Sequence, residues 1–287
     1  MRPALLILLP VLAIFVATAG EEKLGYDDTP MIPDTPWHVH DGNRPQPKVI
    51  GPPTESTNEL PGKPPSDAIV LFDGKDASKW GGGDNGKGWK LENGALVAGK
   101  QDLMTLDSFG DCHLHIEWSA PKPPKGSGQG RSNSGIFMFG QYEIQILDSF
   151  ENKTYPDGNA GAIYGQYPPL VNAMRPPTEW NIFDVVFTAP RFKDDKTLDK
   201  PAYVTVMHNG VLIHNHAKIL GAANHRKLGE YAFHAEKGGI LLQGMNSGIR
   251  YRNIWVRPTT GYDNKPIGAA EAVKPPKPPE AGKKGDF

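Results

Sequence analysis

Cys112-His113-Leu114-His115-Ile116-Glu117-Trp118 alternates apolar and polar residues without a break. A period of two belongs to a β-strand with one face in a core and the other turned away from it. It sorts His113, His115 and Glu117 onto one face, and Cys112, Leu114, Ile116 and Trp118 onto the other. A second run, Tyr142-Glu143-Ile144-Gln145-Ile146-Leu147, repeats the pattern and sets Glu143 beside Gln145. Outward from these two, residues 69–72, 134–139, 182–187, 239–243 and 249–256 read as further strands. Residues 89–92 and 95–98 flank Asn93-Gly94, and residues 203–207 and 211–213 lie either side of Asn209-Gly210. Asn-Gly accepts the positive φ of a type I′ hairpin turn. No segment of a dozen residues carries a helical stripe. Roughly ten short strands with no helical interludes predict an all-β fold, an antiparallel two-sheet sandwich of the jelly-roll kind.

The composition agrees. The 287 residues include 33 glycines and 28 prolines, too many for a helical bundle. Proline also marks boundaries: ten fall in residues 20–65 and five in 259–287, against eleven in the longer stretch 66–258. Both flanks are poor in apolar side chains, so an extended linker (20–65) and a disordered tail (259–287) are expected around one domain, 66–258. Arg2, an apolar run over residues 4–16 and then Ala17-Thr18-Ala19 predict a signal peptide over 1–19, and hence export. That run contains Pro10 and falls short of the roughly 20 residues of a membrane span, and no later stretch is apolar enough to be one. Lys plus Arg is 31 and Asp plus Glu is 32, so no basic surplus exists to neutralise a nucleic acid backbone. The single cysteine, Cys112, has no partner for an intrachain disulfide and lies on the apolar face of its strand.

Same-face neighbours on a strand stand about 6.5–7 Å apart, so each alternating run offers a short polar row. If both strands line one concave sheet, His115, Glu117, Glu143 and Gln145 converge, with Asp148 at the strand end. A solvated sheet face also alternates, but His-x-His-x-Glu and Glu-x-Gln suit a plain surface less well than Thr, Lys or Ser. The pairs His113/His115 and His214/His216, joined by Glu117, would supply ligands of the kind zinc takes if their strands were neighbours; otherwise no cofactor is called for. The glycine-rich stretch 126–130 runs into a strand, not a helix, and so makes no phosphate cradle. Arg131 and Asn133 beyond it suit either a solvated turn or a groove rim. Tyr164, Tyr167, Trp180 and Asn181 are of the types that stack on and hydrogen-bond to sugars, and equally of the types that pack core edges.

Taken in order, several motifs resemble the 3-keto-disaccharide hydrolase domain family. They are Leu71-Phe72-Asp73-Gly74-Lys75, Leu114-His115-Ile116-Glu117-Trp118, Asn133-Ser134-Gly135-Ile136-Phe137, Tyr142-Glu143-Ile144-Gln145-Ile146-Leu147-Asp148, Gly161-Ala162-Ile163-Tyr164-Gly165, Glu179-Trp180-Asn181 and Arg252-Asn253-Ile254. The resemblance covers the whole of the central domain and implies a concanavalin A-like jelly roll acting on sugars oxidised at C3. A ketone at C3 acidifies the C2 proton, so the bond at C1 can break by elimination, with water adding afterwards. On this reading Glu143 is the base, and Glu117 or His115 supplies the proton. Asn133, Tyr164 or Arg252 steadies the enolate oxygen, and Gln145, Asp148, Arg131 and Trp180 hold the saccharide. Two features depart from the family pattern: Met245 stands where a His-Gly pair is usual, and the loop 120–130 is longer. Two other functions stay open on the same fold. Glu143 and Asp148 match the spacing of a retaining glucanase strand, and a lectin-like module would bind a saccharide without cleaving it. The oligomeric state is not legible.

Overall fold

A computed structural model describes residues 24–82, 89–259 and 261–262. The expected leader and nearly all of the expected tail lie outside the described residues. The chain divides into two units, with residues 24–47 belonging to one and the sandwich to the other. Residues 24–47 are not the extended linker expected: Gly25 bridges Asp41 and Met31 bridges His38, so this stretch folds back on itself.

The sandwich is all-β and antiparallel, as the alternation predicts. Its larger sheet runs in the order β13 (Val211–Lys218), β12 (Tyr203–His208), β9 (Asn181–Thr188), β6 (Cys112–Ser119), β15 (Arg250–Pro258), β4 (Ala95–Val97) and β3 (Lys90–Glu92), with β1 (Ile69–Phe72) also on β15. The smaller sheet runs β2 (Trp80–Gly81), β5 (Leu103–Thr105), β14 (Ile240–Leu242), β7 (Ser134–Met138) and β8 (Tyr142–Ile146). A separate ribbon pairs β10 (Arg191–Phe192) with β11 (Leu198–Lys200). Both Asn-Gly turns form as expected, Asn93 and Gly94 at φ 48° and 72°, Asn209 and Gly210 at 52° and 79°.

The apolar faces meet between the sheets. Leu114, Ile116 and Trp118 from β6 and Phe183, Val185 and Phe187 from β9 are buried in one core with Ile136 and Met138 from β7 and Tyr142, Ile144 and Ile146 from β8. Closing this face removes about 25 cal/mol of hydrophobic cost per Å2 of apolar surface and turns the polar row of every strand outward. One strand departs from simple alternation. Asn253 of β15 takes φ 46°, and the register with β6 shifts between Arg252 and Trp255. This bulge moves Trp255 to the Arg252 face, where it stacks on His115 with ring centroids 4.7 Å apart.

Residues 48–66 form a loop laid on the outer face of the larger sheet. Gly51 N–H donates to Ser66 Oγ (2.8 Å), and Lys63 N–H to Thr54 Oγ1 (2.7 Å). Ser56 Oγ reaches Glu117 Oε1 at 2.5 Å while Gly62 N–H donates back to Ser56 Oγ at 2.6 Å. This part of the expected linker is docked on the sheet.

Candidate active site

The outer face of the smaller sheet carries a groove whose floor is β7, β8 and the residue after β14. Glu143 stands opposite Phe137 and Gln145 opposite Gly135 across the β7–β8 pair. Position 135 must lack a side chain. A Cβ there would lie 2.5 Å from Glu143 Oε1 and 2.7 Å from Phe137 Cε2, so the bare backbone lets the carboxyl lie across the floor. Glu143 is only 7% exposed, and burial pushes its carboxyl up to about 8. The Gln145 amide lies between Glu143 Oε1 (3.0 Å) and Ser134 O (2.8 Å) on one side and Gln129 Oε1 (2.8 Å) on the other. Its nitrogen serves one side at a time, so the proton state of Glu143 is coupled to the amide's orientation.

Three loops raise the walls. The segment after Gly158 extends the edge of β8: Gly161 N–H donates to Gln145 O (2.8 Å), Gln145 N–H to Ala162 O (2.9 Å) and Tyr164 N–H to Glu143 O (3.3 Å). Tyr164 therefore rises beside Glu143. Its hydroxyl lies 2.8 Å from Tyr155 Oη and 3.0 Å from His225 Nδ1. Burial, with Tyr155 close by, pushes that hydroxyl above the usual phenol range. His225 is carried by a loop pinned through Leu220 N–H to Gln166 Oε1 (2.7 Å) and Ala223 N–H to Gln141 O (2.8 Å). On the other wall Gln129 donates through Nε2 to Thr154 Oγ1 (2.9 Å) and Gly158 O (2.7 Å), and its Oε1 accepts from Asn133 Nδ2 (3.2 Å).

The central basin, about 450 Å3, is lined by Glu143, Gln145, Asn133, Tyr164, His225 and Met245 among others, and Glu143 is its one carboxylate among the described residues. A neighbouring basin of about 470 Å3 shares Gln129, Asn133 and Met245 with it. Another of about 380 Å3 shares Tyr155, Tyr164, Asn224 and His225. The three form one long groove, and each has the size of a small-ligand site.

Four expected site residues lie on the opposite side of the molecule. Glu117 and His115 belong to β6 in the larger sheet, so their outward face points away from the groove. Each strand was sorted correctly by alternation, but the two strands entered different sheets. Glu117 is fully buried beneath the 48–66 loop, taking bonds from Arg252 Nε (2.6 Å), Asn253 Nδ2 (2.6 Å) and Ser56 Oγ (2.5 Å). Burial raises its affinity for a proton, but bonds from His115, Ser56 and Asn253 and the charge of Arg252 outweigh it and hold the carboxyl low. Burial opposes the charge on His115, yet Asp184, 2.8 Å from Nδ1, and Glu117 raise it to about 9. Arg252 also donates to the Thr57 and Asn58 carbonyls and lies 4.2 Å over the Trp180 ring. These residues tie a loop to a sheet.

Asp148 and Arg131 are likewise withdrawn from the groove. Asp148 Oδ2 takes Arg131 Nε at 2.7 Å, fully buried, while Arg131 Nη2 holds Phe150 O at 2.9 Å. The two histidine pairs do not converge either, since β9 and β12 separate β6 from β13. Buried His214 meets Gly161 O at 2.9 Å, whereas exposed His216, at φ 46°, stacks on Tyr203. Among the described residues no three His, Cys, Asp or Glu side chains come together as metal ligands.

Of the expected residues, Glu143, Gln145, Asn133 and Tyr164 are brought together. Gln129, Phe137, Tyr155, His225 and Gln243 join them without having been singled out. The Gly-x-Gly setting of Gln129 carried a weak signal, and His225 in an irregular loop carried none.

A family model described as the 3-keto-alpha-glucoside-1,2-lyase-like domain matches residues 67–257. Among solved structures, the chain is similar to a candidate glycosyl hydrolase from Parabacteroides distasonis ATCC 8503, with 40% identity, 77% of this chain and 97% of that one covered, and a TM-score of 0.71. A second candidate glycosyl hydrolase from the same organism shares 21% identity over 68% of this chain and 94% of that one at a TM-score of 0.50, a likeness of fold alone. No curated protein matches. The family match takes in both sheets and the whole floor of the groove, and the chain belongs to the 3-keto-alpha-glucoside-1,2-lyase-like domain family.

Proposed function

We propose that this chain cleaves the glycosidic bond of 3-keto-glycosides by elimination, with Glu143 as the base that takes the C2 proton. The observation that carries the reading is that Glu143 is the single carboxylate of the central basin, the other carboxylate of the groove, Asp157, lining the 380 Å3 neighbour on the far side of Tyr155 and Tyr164. Retaining and inverting glycosidases both need two carboxyl groups across the scissile bond, and Asp148, the expected second one, is locked to Arg131. Elimination beside a ketone needs one base on a rigid support. Glu143 sits mid-strand, and burial makes it a stronger base than an exposed carboxylate. Asn133, Gln145 and Gln243 are the amides placed to hold hydroxyls and the developing enolate. The description of the 40% identical Parabacteroides distasonis protein as a candidate glycosyl hydrolase supports a carbohydrate substrate. The apolar leader supports export, which N-terminal sequencing of secreted protein would check by reading Gly20 first.

The test is incubation with a 3-keto-disaccharide beside its unoxidised parent, each deuterated at C2. Cleavage of the keto sugar alone with loss of the label supports the reading. Glu143→Gln keeps the shape of the side chain and should slow the reaction by about 10²–10⁴-fold. Equal cleavage of both sugars with the label retained would sink it, and tight binding of either without cleavage would indicate a lectin.

A further inference from the structure

We propose that Tyr164 is the acid that protonates the departing glycosidic oxygen, with His225 as the positioning residue that replenishes its proton. The inference rests on the elimination reading above, in which the departing oxygen must take up a proton as Glu143 gains one. The carriers expected from the sequence, His115 and Glu117, belong to the far face of the sandwich. In the central basin the remaining groups with a transferable proton are Tyr155, Tyr164 and His225.

Position selects among them. The Tyr164 backbone is bonded to that of Glu143, so the two side chains stand at one level of the groove. Tyr164 and His225 line both the central basin and its 380 Å3 neighbour. A glycoside with its oxidised ring against Glu143 and its aglycone in that neighbour crosses between the two basins at the glycosidic oxygen. Tyr155 also stands at this junction, but it is the outer phenol, 42% exposed, and it reaches His225 only through Tyr164. Tyr164 is central to the chain of three, with a phenol on one side and an imidazole nitrogen on the other.

The step balances. The C2–H bond breaks and its proton goes to the Glu143 carboxylate. That electron pair becomes the C1=C2 double bond, conjugated with the C3 ketone. The C1–O bond breaks, and the leaving oxygen keeps its electrons and takes the Tyr164 proton. The phenolate is then reprotonated from Nδ1–H of His225, and the exposed ring recovers a proton from solvent. The products are the unsaturated keto sugar and the free alcohol.

The test uses two 3-keto-glucosides, one with an alkyl aglycone and one with 4-nitrophenol, both deuterated at C2. Loss of a general acid matters most when the leaving oxygen is basic. Tyr164→Phe should slow alkyl release by about 10²–10⁴-fold and 4-nitrophenolate release far less. The C2 label of unreacted alkyl substrate should still wash out, because Glu143 is intact. His225→Ala should show the same selectivity in weaker form, and imidazole added to the buffer should restore it. Equal slowing of both aglycones by Tyr164→Phe, or loss of label exchange along with cleavage, would overturn the assignment and make Tyr164 a substrate holder. Retention of the C2 label by the wild-type enzyme during cleavage overturns the elimination itself, before any variant is compared.

Discussion

At neutral pH most Glu143 side chains hold a proton, because burial places the carboxyl near 8. The base form grows as pH rises, so kcat/KM for a 3-keto-glycoside is expected to climb through pH 8 and level off above about pH 9. The same shift acts on stability. The folded state keeps this proton from the ordinary value of 4.5 up to about 8, a range in which the unfolded chain releases it. Its contribution is therefore complete below about 4.5 and lost as pH rises through 8. Glu143→Gln should match the wild type at pH 4 and exceed it at pH 9 by a few kcal/mol, at about 1.4 kcal/mol per tenfold change in proton affinity, measured by urea unfolding. Arg252 makes the opposite case. Arg252→Met takes the nearer cation from the buried Glu117 carboxylate and leaves it His115, so the loss should fall at or below the roughly 3–5 kcal/mol that removing one partner of a buried ion pair costs. Turnover per folded molecule should not change, since the pair lies across the sandwich from Glu143. Adding Glu117→Gln should recover most of the loss. Alternation shows which side chains share a face with Glu117, but nothing local to residues 112–119 reports which sheet the strand enters.

Among the elements, those whose signals are local were the legible ones. Asn93-Gly94 and Asn209-Gly210 announce their hairpins because few residue pairs tolerate two positive φ values. The short strands β2, β5, β10 and β11 have two or three residues each, too few for a period to show. The bulge of β15 depends on Asn253 taking φ 46° against β6, a long-range fit that the run Arg250-Tyr251-Arg252-Asn253 does not encode by itself. The same limit applied to the Gln129 turn, whose role comes from Thr154, Gly158 and Gln145 meeting it in space. In β7, Gly135 is the element-level requirement for the site. Gly135→Ala should fold, because its Cβ would project onto the groove face and leave the core untouched. It would push the Glu143 carboxyl aside, and a displacement of about 1 Å can cost about 100-fold in rate. A Gly135→Ala protein with normal melting and normal kcat would show that the carboxyl is not held where the floor places it.

The sandwich has unlike outer faces, one open as a groove and the other covered around Glu117 and Arg252 by residues 48–66. Proline content led those residues to be read as linker, since composition counts apolar side chains and misses polar anchors. The loop is held by fixed groups of the sheet: Glu117 takes Ser56, Arg252 takes the Thr57 and Asn58 carbonyls, and Trp180 N–H donates to Asn58 Oδ1 at 3.1 Å. Its prolines lower the entropy lost on docking, because their φ is restricted in the unfolded chain as well. Two shortened chains separate linker from structure. One beginning at Lys48 keeps every one of these bonds and should unfold with the stability of the sandwich in the full-length protein. One beginning at Ser66 gives them up, and with bonds to charged groups worth about 1.5–3 kcal/mol each, less the ordering cost, it should lose a few kcal/mol. Its turnover at low temperature should persist, since Glu143 stands on the other sheet and Tyr164 and Gln129 in the loops that wall it. Equal stability of the two chains would mean that water satisfies Glu117 and Arg252 as well as the loop does. Loss of activity in the shorter chain while it remains folded would mean that the two faces are coupled through the core packed between them.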